Sequence, residues 1–303
     1  FMKPFLTKKS NLYPYLLLFI QPIFMATNII VARGGVEYVP PISLAFWRWF
    51  FVFLILSPFF YLEIYKKRKI FKKEFLKLFF LGFMGCGVCG AFPFIAGMST
   101  TMANMGIIYT SSPVFIIILS VFIFGEKVGL SRIFGLIICL IGVVTIITKG
   151  NINYLLNFSF TSGDFWMLGA AAGWALYSIY LLNWKSSFSL MGRFTLIAFF
   201  GFISLLPFYM LEQVFLFKTN FNLIFFAWVL FAAVSPGIIA FTLYTKVQRH
   251  LGASLTGFTL YLFAVYGAIF GIIIFEEILM PFHYFGGALV FVGVYLARKI
   301  KSS

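Results

Sequence analysis

The chain has little of what a water-soluble catalytic domain relies on. Of its 303 residues, 8 are acidic, 2 are histidine and 3 are cysteine, and charged residues of both signs make up 10%. A soluble domain carries about a quarter charged residues, so a soluble globular enzyme is excluded. Three cysteines exclude a disulfide scaffold. Cys86 and Cys89 form a C-x-x-C inside an apolar run and have no second ligand pair, which argues against zinc. His250, in the connection before the ninth apolar run, and His283, at the start of the tenth, lie at opposite membrane surfaces, so they form neither a metal site nor an acid–base pair. No Asp or Glu falls in the middle of an apolar run. The expectation is therefore no catalytic residues, no metal and no cofactor. Alternating apolar and polar strands, the mark of a membrane barrel, are also missing.

What the chain does have is hydrocarbon. Hydrophobic residues make up 62%, there are 44 Phe, and mean hydropathy is +1.02, which excludes disorder as well. A helix needs about 20 apolar residues to cross a bilayer. Ten such runs are present, at 13–32, 40–62, 75–96, 102–124, 131–148, 163–183, 191–212, 222–245, 253–275 and 281–298. The first lacks a small-residue cleavage site and reads as a span, not a signal peptide. The fold expected is an all-α integral membrane protein.

The net charge of +15 sorts by side. With the N-terminus cytoplasmic, 19 of the 23 basic residues fall in cytoplasmic connections or ends. Arg33, Lys149 and Lys218 fall outside, and Arg48 lies within a run. Lys and Arg concentrate on the cytoplasmic side of membrane proteins. The asymmetry implies a multi-pass protein of the bacterial inner membrane with both termini cytoplasmic. The basic run at 64–77 then reads as a topology determinant and lipid-headgroup contact, with no nucleic acid as partner.

Two halves repeat at an offset of about 150 residues. FGEK at 124–127 is echoed by FEEI at 275–278. Gly135 and Gly142 sit at the same distances beyond Glu126 as Gly286 and Gly293 beyond Glu277. Each half, 1–150 and 151–303, holds five runs. An odd number sends the second half into the membrane with opposite orientation, giving ten transmembrane helices as two inverted five-helix repeats. Secondary transporters are commonly built this way, with the site between the halves.

Three stretches carry a resemblance. PPISLAFWRWFFVFLILSP (40–58), STTMANMGIIYTSSPVFIIILSVFIFGEK (99–127) and LGASLTGFTLYLFAVYGAIFGIIIFEE (251–277) resemble, in order and spacing, the EamA branch of the drug/metabolite transporter superfamily. The resemblance implies two EamA repeats, a central cavity, and export or exchange of small metabolites such as amino acids.

Polar and helix-breaking residues are costly in lipid and are expected to face the interior. Those nearest mid-depth include Gln21, Thr27 and Asn28 in the first run and Thr110, Ser111 and Pro113 in the fourth. Trp174 and Tyr177 lie in the sixth, Pro236 in the eighth, and Tyr261 and Tyr266 in the ninth. With Phe94 they suggest a partly aromatic, uncharged cavity. For each Ser or Thr, a hydrogen bond to backbone or a neighbouring helix is the competing role. Arg48 reads either as a ligand for a carboxylate or as a structural partner for freed carbonyls. Pro113 and Pro236 read as hinges, and Glu126 and Glu277 as helix caps or gate contacts. The expected activity is alternating-access transport of an amino acid or a related zwitterionic or weakly anionic solute by a monomer or homodimer in the bilayer. The alternatives are a carrier of lipophilic drugs or organic cations and, more remotely, an intramembrane enzyme.

Overall fold

A computed structural model of the chain describes residues 13–124, 130–151, 161–256 and 259–298, and these are helical almost throughout. Within the described residues the apolar runs fall almost entirely on helix. Helix α1 is Tyr13–Gly34 and α2 is Pro41–Lys66. Helix α3 runs as Arg68–Gly82, a π turn Phe83–Val88, and Cys89–Gly97. In α4, Met102–Tyr109 and Ser112–Phe124 meet at a break. Helices α5 and α6 are Leu130–Ile147 and Ser162–Asn183. Helix α7 is Leu190–Leu211 with a terminal π turn Glu212–Leu216. In α8, Leu223–Ala232 passes through a π turn Ala233–Ile239 into Ala240–Thr256. Helices α9 and α10 are Thr259–Phe275 and Pro281–Arg298.

Among the described residues, six helices have the length and apolarity to cross a bilayer: α1 to α4, α7 and α8. The apolar stretches of α5 and α9 are shorter. Helix α8 also runs further than its apolar stretch predicts, carrying Lys246 and His250 on helix where the sequence reads as a connection. Likewise the basic run after residue 62 sits on the end of α2 and the start of α3, where Lys67 pairs with Glu63 at 2.7 Å one turn away. Such i,i+4 pairs favour continued helix once the chain reaches water.

The outside of the bundle is apolar. Phe59, Leu76, Phe122, Leu223 and Ile273 are among many large side chains that are mostly exposed, a surface suited to lipid. Inside, small residues set the helix spacing. A methyl on Gly97 would run into the Ala32 carbonyl, which locks α3 against α1. The repeat-related glycines of α5 and α10 meet each other. A Cβ on Gly142 would lie 2.7 Å from the Gly286 carbonyl, and one on Gly293 would lie 2.6 Å from the Gly135 carbonyl.

Helix ends are closed by carboxylates from other helices. Glu212, at the end of α7, accepts from the Ile42 and Ser43 amides at 2.9 and 2.7 Å and caps the start of α2. Glu63, at the end of α2, accepts from the Ser189 amide at 2.6 Å, just before α7. The α2–α7 pair is thus pinned at both ends, with Phe46 stacked on Tyr209 at 4.5 Å near one end.

Gly97→Ala should lower stability by about 1–3 kcal/mol, the cost of overpacking a tight contact. Gly287→Ala, whose Cβ would meet only Ile107 at 3.6 Å, should be neutral. Thermal unfolding of the two purified variants checks the contrast.

Candidate solute-binding cavity

A central cavity opens between helices of both halves. Helix α1 contributes Gln21, Met25 and Asn28, which lie along one face, and α2 contributes Arg48 and Trp49. Gly85, Cys89 and Pro93 come from α3 at four-residue spacing, Met105 and Tyr109 from α4, and Met167 and Trp174 from α6. Helix α8 closes the far wall with Pro236, Phe241 and Tyr244, and α9 adds Phe263. The cavity is small, about 60 Å³, against roughly 300–1,000 Å³ for sites that hold drug-sized ligands. Only a few waters would fit in it.

Its electrostatics are one-sided. Arg48 is 4% exposed. One guanidinium nitrogen donates to Asn28 Oδ1 at 2.5 Å, while Nε is buried without a hydrogen-bond partner. The guanidinium lies 4.6 Å from the Trp49 ring and 5.8 Å from the Phe94 ring, contacts that a cation favours. No acidic side chain is among the described residues that line the cavity. Since Asn28 gives its oxygen to Arg48, its NH₂ remains to donate. Gln21 donates to the Ala240 carbonyl at 3.4 Å and leaves Oε1 buried without a hydrogen-bond partner. The cavity thus presents donors at Asn28 and Arg48, an acceptor at Gln21, and aromatic walls.

Of the residues singled out from the sequence, Asn28, Arg48, Trp174 and Pro236 line this space. Phe94 and Tyr177 stand behind it, one against Arg48 and the other 5.3 Å from Trp174 and packed on Gly85. Thr110 and Ser111 are buried with their hydroxyls donating to the Ile107 and Ile108 carbonyls, both at 2.6 Å. Together with Ser112 on the Tyr109 carbonyl they satisfy the break in α4. These hydroxyls are spent on their own helix. Pro113 follows immediately, in the second segment of α4. Tyr261 packs on Phe291 at 5.3 Å, and Tyr266 is half-buried; neither lines the cavity. Pro236 lies in the α8 π turn. Glu277 accepts from the Met102 amide at 2.8 Å and the Ala103 amide at 3.3 Å, capping α4. Glu126 lies outside the described residues.

The lining residues that sequence reasoning missed are mainly Met25, Trp49, Tyr109, Phe241 and Tyr244. Trp49 and Tyr109 adjoin or follow by one turn residues already in view. In a chain that is 21% aromatic, nothing local separates them from lipid-facing rings.

Among the described residues the chain is helical and largely apolar, with long apolar helices around an interior cavity, as a multi-pass membrane protein requires. The model of the EamA-like transporter family matches residues 12–148 and again 161–298. The chain belongs to that family. It is 27% identical to an "Uncharacterized transporter" of Archaeoglobus fulgidus over 94% of this chain and 97% of that one. It is 25% identical to "Uncharacterized transporter YyaM" of Bacillus subtilis over 97% and 95%. A crystal structure with 15% identity superposes at a TM-score of 0.58 over 93% of this chain and 95% of that one, a likeness of fold.

Glu277→Ala should cost about 1 kcal/mol or somewhat more, the usual worth of a helix N-cap. Glu277→Gln keeps an acceptor oxygen and should lose less. Unfolding midpoints of the two variants test whether capping is the role of this carboxylate.

Proposed function

We propose that the protein is a secondary carrier of a small metabolite with a carboxylate or a similar weakly anionic group. An amino acid or related zwitterion is the best match. Transport proceeds by alternating access of two inverted five-helix repeats, 1–150 and 151–303, in a bacterial plasma membrane with both termini cytoplasmic. The observation that carries the reading is the buried guanidinium of Arg48, which meets a side-chain amide and aromatic rings in a cavity whose described lining has no acid. An unpaired buried charge is costly, and a solute carboxylate matches the guanidinium fork. A purely structural Arg48 would be expected to bond freed carbonyls at a helix break. Its hydrogen bond goes instead to the Asn28 side chain.

The other polar groups fit the same solute. Asn28 donates beside Arg48. The Gln21 oxygen accepts, as an ammonium group requires, and the faces of Trp174 and Tyr244 suit either an ammonium or an apolar side chain. The same lining disfavours a free organic cation, which would sit beside Arg48 with no carboxylate to offset it.

Two structural features support alternating access. The π turns at Phe83–Val88 and Ala233–Ile239 lie about 150 residues apart, at matching places in the two halves, and each reaches the cavity through Gly85 or Pro236. Pi turns interrupt regular helix bonding and recur at functional sites, which makes this pair the natural hinge. Solute exchange requires the small cavity to widen, and the widening is expected at these two points.

A radiolabelled uptake screen in liposomes over amino acids, other carboxylates, sugars, nucleosides and organic cations tests the reading. Saturable flux of a carboxylate-bearing solute is expected. Arg48→Ala should lower apparent affinity by about 30-fold, the effect of losing ~2 kcal/mol of charge-assisted hydrogen bonding. Trp174→Ala should weaken transport more mildly. Saturable flux of organic cations with none of any carboxylate overturns the proposal.

A further inference from the structure

A second polar cluster lies outside the cavity, at the end of the bundle that holds the connection between the halves. Asp164, two residues into α6, is fully buried. Its Oδ1 accepts from the Thr100 hydroxyl and from Asn104 Nδ2 at 3.2 Å, and its Oδ2 accepts from the Thr161 hydroxyl. The Asn104 amide is thereby oriented with its oxygen toward α10. There it meets His283 Nε2 at 3.1 Å, while His283 Nδ1 accepts from the Met280 amide at 2.9 Å. Asn104 and His283 are buried too.

The hydrogen bonds run in one direction. The Met280 N–H points to His283 Nδ1, His283 Nε2–H to the Asn104 oxygen, and the Asn104 NH₂ to Asp164. Every donor finds an acceptor only if the carboxyl is ionised and the imidazole neutral with its proton on Nε2. The cluster also spans the halves. Thr100 and Asn104 belong to the first; Thr161, Asp164 and His283 belong to the second. Beside it, Ser99 Oγ accepts from the Gly163 amide at 2.9 Å.

We propose that Asp164 and His283 form a proton-binding site that latches this end of the carrier shut, so that acid on this side opens it. A proton arriving on His283 goes to Nδ1 and displaces the Met280 N–H. A proton arriving on Asp164 turns an acceptor oxygen into a donor and displaces Thr100, Asn104 or Thr161. The first event unseats the imidazole from the turn that holds it against Asn104. The second, where Thr100 or Asn104 is displaced, breaks a bond between segments that must part for the cavity to open here. In the topology inferred above this is the external face, so the proton comes from outside the cell. The latch stands apart from Arg48, and neither depends on the other.

Other charged groups at this end are engaged differently. Arg33 on α1 donates to the Gly97 carbonyl at 3.4 Å. Glu277 after α9 holds the Met102 and Ala103 amides, next to Glu276. Lys149 follows α5, next to Gly150, which abuts Phe282. The carboxylate and the imidazole joined through one amide are the pair placed to read a proton across the two halves.

Hydrogen exchange of the full-length protein in lipid nanodiscs, corrected for the pH dependence of chemical exchange, tests the latch without any substitution. Between about pH 8 and about pH 5, where an imidazole titrates, amides at 97–106, 161–166 and 280–286 should exchange about ten-fold faster, as expected when one or two buried hydrogen bonds are lost. Amides at the other end, around 184–193, should not change. Asp164→Asn should exchange fast at both pH values, and His283→Gln should lose the His-dependent part of the response. Equal protection of the wild-type chain at both pH values overturns the proposal, as does a wild-type response in both variants.

Discussion

In hydrocarbon an unpaired backbone amide or carbonyl has no water to turn to, and each one costs several kcal/mol. Much of this structure answers that constraint. Every helix leaves orphan amides at its start, and here the partners for several of them come from other helices. Glu212 serves α2, Glu63 serves the start of α7, and Glu277 serves α4. Where α4 breaks, three consecutive hydroxyls bond the carbonyls three residues back. A chain with eight acidic residues thus commits at least three of them to helix ends. Because Glu212 and Glu63 each reach from one half to the other, the caps also hold the halves in register.

Arg48 departs from that rule. Its guanidinium is buried and held by one amide oxygen and two aromatic faces, and Nε has no hydrogen-bond partner. Other buried side-chain atoms, among them Trp47 Nε1 and Arg193 Nε, are also left short, but Arg48 is the charged group left short at the cavity, where the proposed solute would complete it. The Gln21 oxygen adds to the same deficit from the acceptor side. A carrier needs such incompleteness. A fully satisfied cavity would gain nothing by admitting a ligand, and one that gained too much would not release it.

Helix was legible because hydrophobic length is a one-dimensional signal. The repeat was read from glycines and glutamates that recur at a fixed offset, and the family model matches 12–148 and again 161–298. The α5–α10 contact shows why that spacing matters: Gly135, Gly142, Gly286 and Gly293 are where two backbones touch. The cavity was only partly legible. Polarity marked Gln21, Asn28 and Arg48 correctly as interior. It also marked Thr110 and Ser111, whose hydroxyls turn back on their own helix, and one-dimensional polarity does not distinguish these fates. Trp49, Tyr109 and Tyr244 were hidden among many other rings. Asp164 and His283 sit at the starts of the sixth and tenth apolar runs, where the sequence gives no sign that they meet, and only folding brings them to the two sides of Asn104. The π turns left no mark in the sequence beyond Gly and Pro residues that equally serve helix packing.

The caps and the π turns together constrain how the molecule can move. Helix α3 is held by a close approach to α7 at Gly82, directly before its π turn, and to α1 at Gly97, at its end. Helix α8 has its π turn beside Val52 of α2, which a Cβ on Gly237 would meet at 3.0 Å. Regular helix is stiff along its axis, so displacement collects where i→i−4 bonding is interrupted. Both interruptions border the same small cavity, one from each half. Widening it therefore means bending α3 and α8 near their middles while the ends of α2 and α7 stay capped. In the proposed latch, the end of the bundle that then parts is the one closed across the halves by side-chain hydrogen bonds around Asn104, because those bonds, unlike the glycine contacts, run through groups that can take up a proton.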